Sequence, residues 1–213
     1  FTYAFKLDVR TGAPAAQPTA PPATAGGRLR VVLDAGHGGA DPGVTGQSGT
    51  PEKAIARAIA DRVAKLIGAS CQAAFTRAED NAPTVADRVS MANVALKGDV
   101  LVSIHTGASA APTASGFEFF CPMGSGDTNS SRSLALARAM SNTMAQSTGV
   151  APRGLHQAPC RLFTNLQIPG VLIEVGFVTN PKEEPLLVNA EYQDKLAQGI
   201  ANGILAYAGG KAQ

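Results

Sequence analysis

Two of the three histidines in this chain sit just past apolar stretches that end abruptly in small or polar residues. His37 lies in Asp34-Ala35-Gly36-His37-Gly38-Gly39, after Val31-Val32-Leu33, and His105 follows Val100 to Ile104. Imidazoles at two strand ends are ready metal ligands; a third N or O donor, with one position left open, completes a hydrolytic zinc site. Glu52 is the acid best placed to join them, because the loop after His37 can fold both residues over one strand end. Asp34 and Asp41 compete for the same role. Each residue also has a plainer reading. His37 can be a hydrogen-bonded loop residue, His105 a satisfied core histidine, and Glu52 an acid that complements its helix dipole. A phosphate loop is not indicated, since neither the dinucleotide fingerprint nor the P-loop spacing is met around His37.

Glu174 points to a second kind of chemistry. It stands inside Val171-Leu172-Ile173-Glu174-Val175, where burial of an unpaired carboxylate is expensive. Either an ion pair or hydrogen bonds satisfy it, or burial raises its pKa and makes it a general base near a metal-activated water. A buried charge close to a candidate site favours the base. His156, in Arg153-Gly154-Leu155-His156-Gln157, reads as a solvated or groove-lining loop residue. Thr76-Arg77 with Asp80 and Arg88 reads as a salt-bridged or capping cluster. Cys121 lacks the converging histidine that a thiol nucleophile needs.

The elements that must position these groups alternate between apolar strands and amphipathic helices from residue 28 onward. Strands are expected at Val31–Ala35, Gln72–Thr76, Val100–Ile104, Gly116–Cys121, Arg161–Thr164 and Val171–Val175. Ile55, Ile59, Val63, Leu66 and Ile67 recur at helical spacing behind Thr50 as cap and Pro51 as first helical residue. Val85, Val89, Ala92 and Leu96 mark a second helix, and Leu134, Ala137, Met140 and Met144 a third. Tyr192, Leu196, Ile200, Ile204 and Tyr207 mark the last, stopped by Gly209 and Gly210. This alternation predicts an α/β fold: a single domain with a mainly parallel sheet flanked by helices on both faces. Ligands then collect at the carboxyl ends of the strands, where His37, His105 and Glu174 lie.

Bulk composition narrows the function. The 213 residues suit one domain of ordinary size, and 45% hydrophobic with 16% charged residues is a globular composition. Lysine and arginine total 18 against 16 acids, with no dense basic run, which argues against nucleic acid as a partner. No apolar run reaches the roughly 18 residues of a membrane span. The absence of tryptophan and the 5% aromatic content argue against stacking as the main binding mode. Three widely spaced cysteines form no framework; Cys121 and Cys160 are the favoured pair if any bridge forms, and Cys71 is left over. Residues 1–10 read as the stub of an upstream segment and 11–28 as an Ala/Pro/Thr-rich tether. Residues 29–208 form the catalytic domain and 209–213 a tail. With no starting Met and no signal-type apolar region, the chain reads as a processed product.

Taken together, VVLDAGHGGADPG, EKAIARAIA, TRAED with a later arginine, LVSIHTGA, RGLHQAP and IPGVLIEVGFVTNPKEEPLL resemble the zinc-dependent N-acetylmuramoyl-L-alanine amidases of bacterial cell-wall turnover, the amidase 3 type. The stretches run in the family's order from about residue 31 to 187. The resemblance implies that His37, Glu52 and His105 bind one zinc ion and that Glu174 is the catalytic glutamate. It implies hydrolysis of the amide between N-acetylmuramic acid and L-Ala of the stem peptide, in wall turnover or daughter-cell separation. An extracytoplasmic (periplasmic or secreted) location, a peptidoglycan substrate, and an upstream wall-targeting domain or regulator follow from it. Two departures stand out. Thr106-Gly107-Ala108 replaces the usual Ala-Asn-Ala or similar, removing an amide side chain beside the second histidine, which predicts lower activity. Only Ser109 to Ser115 separates the second histidine motif from the next strand, too short for the blocking helix of some relatives, so no autoinhibition of that kind is expected. The rival readings are a zinc peptidase cutting within the stem peptide and a non-catalytic wall-binding protein.

Overall fold

A computed structural model describes residues 27–124 and 128–210. The expected stub at 1–10 and most of the tether lie outside the described residues, as does the end of the tail.

Six strands form one sheet: β1 (Arg30–Ala35), β2 (Gln72–Phe75), β3 (Val100–Gly107), β4 (Glu118–Cys121), β5 (Gly154–Gln157) and β6 (Gly170–Phe177). Their spatial order is β2-β1-β3-β6-β4-β5. The first four in that order are mutually parallel; β4 runs antiparallel to β6, and β5 follows β4 in parallel. The sheet is therefore mainly parallel, as the alternation of elements predicts. The helices are α1 (Glu52–Ile67), α2 (Val85–Ser90), α3 (Thr128–Thr148), α4 (Glu184–Leu187) and α5 (Ala190–Ala208). Because side chains alternate along a strand, each strand serves two environments. Val31, Leu33, Val102, Ile104, Ile173 and Phe119 point into a large core sealed by α1, α3 and α5. On the opposite face Val32, Leu101 and the half-buried Leu172 are covered by α2 and its neighbours Ala92 and Leu162, and Asp34 and Ser103 are buried beyond them. Toward the carboxyl ends of β3 and β6 that face stays open, with His105 and Glu174 part-exposed.

Several local expectations are corrected. Arg161–Thr164 is not a strand: Arg161–Phe163 is a 3-10 turn that drops Leu162 into the smaller core, and a short apolar run cannot by itself distinguish the two. Gly154–Gln157, read as loop, is instead the edge strand β5 beside β4. Pro51, not Thr50, is the cap of α1; its extended backbone pairs with Thr45, and Glu52 becomes the first helical residue. The second helix continues past Ser90 as a π turn over Met91–Ala95. Leu136 rather than Leu134 joins Ala137, Met140 and Met144 in the buried face of α3. The last helix stands as expected, capped by Asn189, whose side chain accepts from Tyr192 N, and ended at Gly209. All three cysteines are free thiols, so Cys121 and Cys160 are not bridged. No helix among the described residues is long and apolar enough to cross a membrane.

Candidate metal centre

Three segments converge at the carboxyl ends of β1 and β3. His37 stands two residues past β1, His105 lies within β3, and Glu52 opens α1. One ligand atom from each lies within 4.8 Å of the other two, and this is the metal-competent cluster among the described residues. Glu52 bridges the pair: its Oε1 lies 2.9 Å from His105 Nδ1 and its Oε2 3.2 Å from His37 Nε2. The same carboxylate accepts from the Thr106 and Val44 backbone amides, which fix its plane. Glycine at 43, with φ +69, is required here, because a Cβ would lie 2.6 Å from the His37 ring and 2.7 Å from Glu52 Oε2.

The competing acids take other roles. Asp41 accepts from His37 Nδ1 at 2.8 Å, leaving Nε2 turned toward Glu52. A carboxylate on the far ring nitrogen fixes tautomer and orientation in metal-binding histidines. Asp34 is fully buried beneath the loop and accepts from the Thr76 hydroxyl, from Ser103 Oγ at 2.6 Å and from Arg88 Nη1 at 2.7 Å. Arg88 also reaches the Ala35 and His37 carbonyls. Arg77 binds the Ala35 and Lys53 carbonyls, and Asp80 pairs with Lys53. The expected salt-bridged cluster is thus the floor of the His37 loop. Its purpose is visible in the backbone: His37 has φ 59, a left-handed conformation costing roughly 1–3 kcal/mol unless its surroundings enforce it.

The electrostatics suit a cation. Burial opposes a charge on His37, but hydrogen bonding and attraction from Glu52, and then Asp41, raise its pKa to about 9. Burial likewise opposes the Glu52 carboxylate, yet the His105 and His37 rings hold it well below the ordinary range. A site that draws protons onto an imidazole beside a carboxylate offers the same field to a metal ion. The donor set of two imidazoles and one carboxylate fits zinc.

Glu174 stands next to His105 in the β3–β6 register and is half-buried on the open face. No ion pair or hydrogen bond to a described residue satisfies it, which removes the structural reading of a hidden ion pair. Burial, followed by the nearby Glu118, raises its pKa to about 7. Gly107 explains how it reaches its position: a Cβ there would lie 2.8 Å from Glu174 Oε2 and 2.9 Å from the Phe177 ring. The replacement noted after the second histidine therefore makes room that Glu174 and Phe177 fill. The connection between β3 and β4 contains no helix.

His156 is on β5 rather than in a loop, packed against Phe120 and 3.9 Å from Glu118. Glu118 and its ion-pair partner Arg153 were not singled out in the sequence. The signal was there for Glu118, an acid inside the apolar run Gly116-Phe117-Glu118-Phe119-Phe120, the same pattern that marks Glu174.

Comparison with known proteins gives a consistent picture. The sequence model of the family described as N-acetylmuramoyl-L-alanine amidase (Amidase_3) matches residues 31–206. The uncharacterized protein YqiI of Bacillus subtilis is 36% identical over 178 residues, covering 83% of this chain and 84% of that protein. The amidase AmiA of Escherichia coli is 28% identical over 228 residues, covering 85% and 77%. Among solved structures, an N-acetylmuramoyl-L-alanine amidase from Clostridium difficile 630 superposes with a TM-score of 0.80 at 33% identity, covering 86% of this chain and 98% of that one. The catalytic domain of CwlV from Bacillus (Paenibacillus) polymyxa gives 0.78 at 33% identity, covering 85% and 99%.

Proposed function

This chain belongs to the Amidase_3 family of N-acetylmuramoyl-L-alanine amidases, and from that premise we propose that one zinc ion binds His37, Glu52 and His105 and that Glu174 is the general base. Peptidoglycan amidase activity comes with the family; metal, residue roles and cellular setting are the added reading. The observation that carries it is the convergence of three donors from distant segments within 4.8 Å of one another.

Bound zinc supplies Lewis acidity toward a water and the amide carbonyl. The chain's own residues do the rest. Asp41 keeps the His37 Nδ1–H engaged so that Nε2 is free to ligate. The Asp34–Arg88 floor holds His37 in its left-handed turn. Glu174, with no partner to release, takes a proton from the attacking water and returns it to the leaving nitrogen of L-Ala. A group that takes and gives a proton in one cycle works best with a pKa near the operating pH. The open face gives a polymer access from solvent. On this reading the enzyme works outside the cytoplasm, in wall turnover or cell separation, with a wall-targeting domain or regulator as partner of the domain at 29–208.

Turbidity loss of purified sacculi, measured with chelator and after restoring zinc, tests the metal assignment. Mass spectrometry of the fragments should show glycan bearing free muramic acid carboxyl groups and peptide beginning at L-Ala. Fragments cut within the peptide would instead support the peptidase. Binding to sacculi without solubilisation by zinc-loaded protein would support a wall-binding role.

A further inference from the structure

We infer that Arg153 binds a carboxylate of the stem peptide beyond L-Ala and sets specificity for peptides that carry one. This rests on the amidase reading, with Glu174 acting at the leaving nitrogen.

The argument starts from a row of side chains. On the open face His105, Glu174 and Glu118 stand opposite one another on β3, β6 and β4, and Gly154 of the edge strand β5 faces Glu118. The His37–Glu52–His105 cluster lies at one end of that row. With the leaving nitrogen at Glu174, a peptide that continues along this row, away from the cluster, passes over Glu118 toward β5.

Arg153 is built into that end. Its Nε pairs with Glu118 Oε1, and its guanidinium lies over the Phe177 ring with 5.3 Å to the centroid. Glu118 is only 14% exposed and is flanked by His156, whose ring folds over Gly154 into space that a Cβ would fill. The anchor is therefore mostly buried. Arg153 itself is 48% exposed, and its two terminal nitrogens make no hydrogen bond to a described residue. The result is a half-exposed guanidinium held at its Nε and over one ring, whose terminal N–H donors remain available to a ligand. A fork of such donors matches a carboxylate in two parallel hydrogen bonds, and its immobilisation in advance lowers the entropy lost on binding. Because Glu118 already balances the charge, recognition depends on the fork's geometry rather than on long-range attraction.

The test uses the whole chain loaded with zinc. Two product peptides that begin with L-Ala are titrated by calorimetry, one with a free carboxylate on the following residue and one with that carboxylate amidated. The wild type should bind the acid about tenfold or more tightly than the amide, as expected for a charge-assisted pair. Arg153→Gln should erase that preference by weakening the acid alone, with KM rising for acidic substrates while kcat and zinc content hold. Arg153→Lys, which keeps the charge and the Glu118 contact without the fork, should retain only part of it. No preference in the wild type, or a preference that survives Arg153→Gln, overturns the inference. Failure of the amidase reading would show separately, as wild-type protein that releases no peptide from sacculi, because peptide binding is measured without turnover.

Discussion

The two faces of the sheet are made by the same strands and meet opposite demands. Leu33 and Asp34 are neighbours in β1; one enters the core under α1, α3 and α5, the other anchors the floor of the His37 loop. Ile104 and His105 divide in the same way on β3, as do Ile173 and Glu174 on β6. The sealed face needs volume and apolarity, which many residues supply. The open face needs particular atoms in particular places: Asp34 is held by Arg88 and Ser103, His105 by Glu52, while Glu174 stands without a partner among the described residues. The difference teaches that stability and chemistry are separable here, one residue apart.

That separation can be broken or sharpened by substitution. The largest effect is expected for Glu174→Gln, which should lower turnover on sacculi roughly 10²- to 10⁴-fold. Zinc content and melting temperature should hold; a variant that works at the wild-type rate removes Glu174 from the mechanism. Arg88→Met strands the Asp34 carboxylate, and chemical denaturation should record a loss of about 3–5 kcal/mol together with weaker zinc binding. Were zinc affinity untouched, the floor would be structural only. Leu33→Ala, on the other face, should cost about 2–5 kcal/mol in the same experiment while zinc affinity and activity per folded molecule stay level. A parallel loss of metal would mean the faces are coupled. Asp41→Asn should leave stability nearly unchanged and reduce zinc affinity about 10- to 100-fold, read by competition with a chromophoric chelator.

The smallest effect is on the pH dependence of stability. Burial pushes the Asp34 pKa up, but the Arg88 guanidinium, helped by the Ser103 and Thr76 hydroxyls, holds it below its ordinary value. Its folded value is thus lower than the unfolded value of about 3.9, so its contribution is in place above that pH and is lost as pH falls through the folded value. Denaturation midpoints measured downward from pH 5 should drop more steeply for the wild type than for Asp34→Asn. Equal slopes would show that Asp34 is not the group responsible.

Much of this was legible in the chain. Helical periodicity in Ile55–Ile67 and Tyr192–Tyr207, and apolar runs before His37 and His105, gave the elements and their order. Glu174 was conspicuous because a carboxylate inside an apolar run has to be accounted for. The edge strand Gly154–Gln157 was hidden by its short, mixed sequence, and the Leu162 turn by an apolar run that fits strand and turn alike. Glu118 followed the Glu174 pattern but had no histidine nearby in sequence to draw attention to it.

Local sequence determined most of the strands and helices, since periodicity and burial act over a few residues, and it marked the residue types capable of binding a metal. It put Glu52 ahead of Asp34 and Asp41 as the acid best placed to join the histidines, but it could not say what the other two acids do. Packing decided that. The α1 start brings Glu52 onto both imidazoles, the turn brings Asp41 behind His37, and the strand pleat turns Asp34 down to Arg88. Strand order likewise placed Glu118 and Arg153 beside Glu174, through pairing between segments that share no local signal.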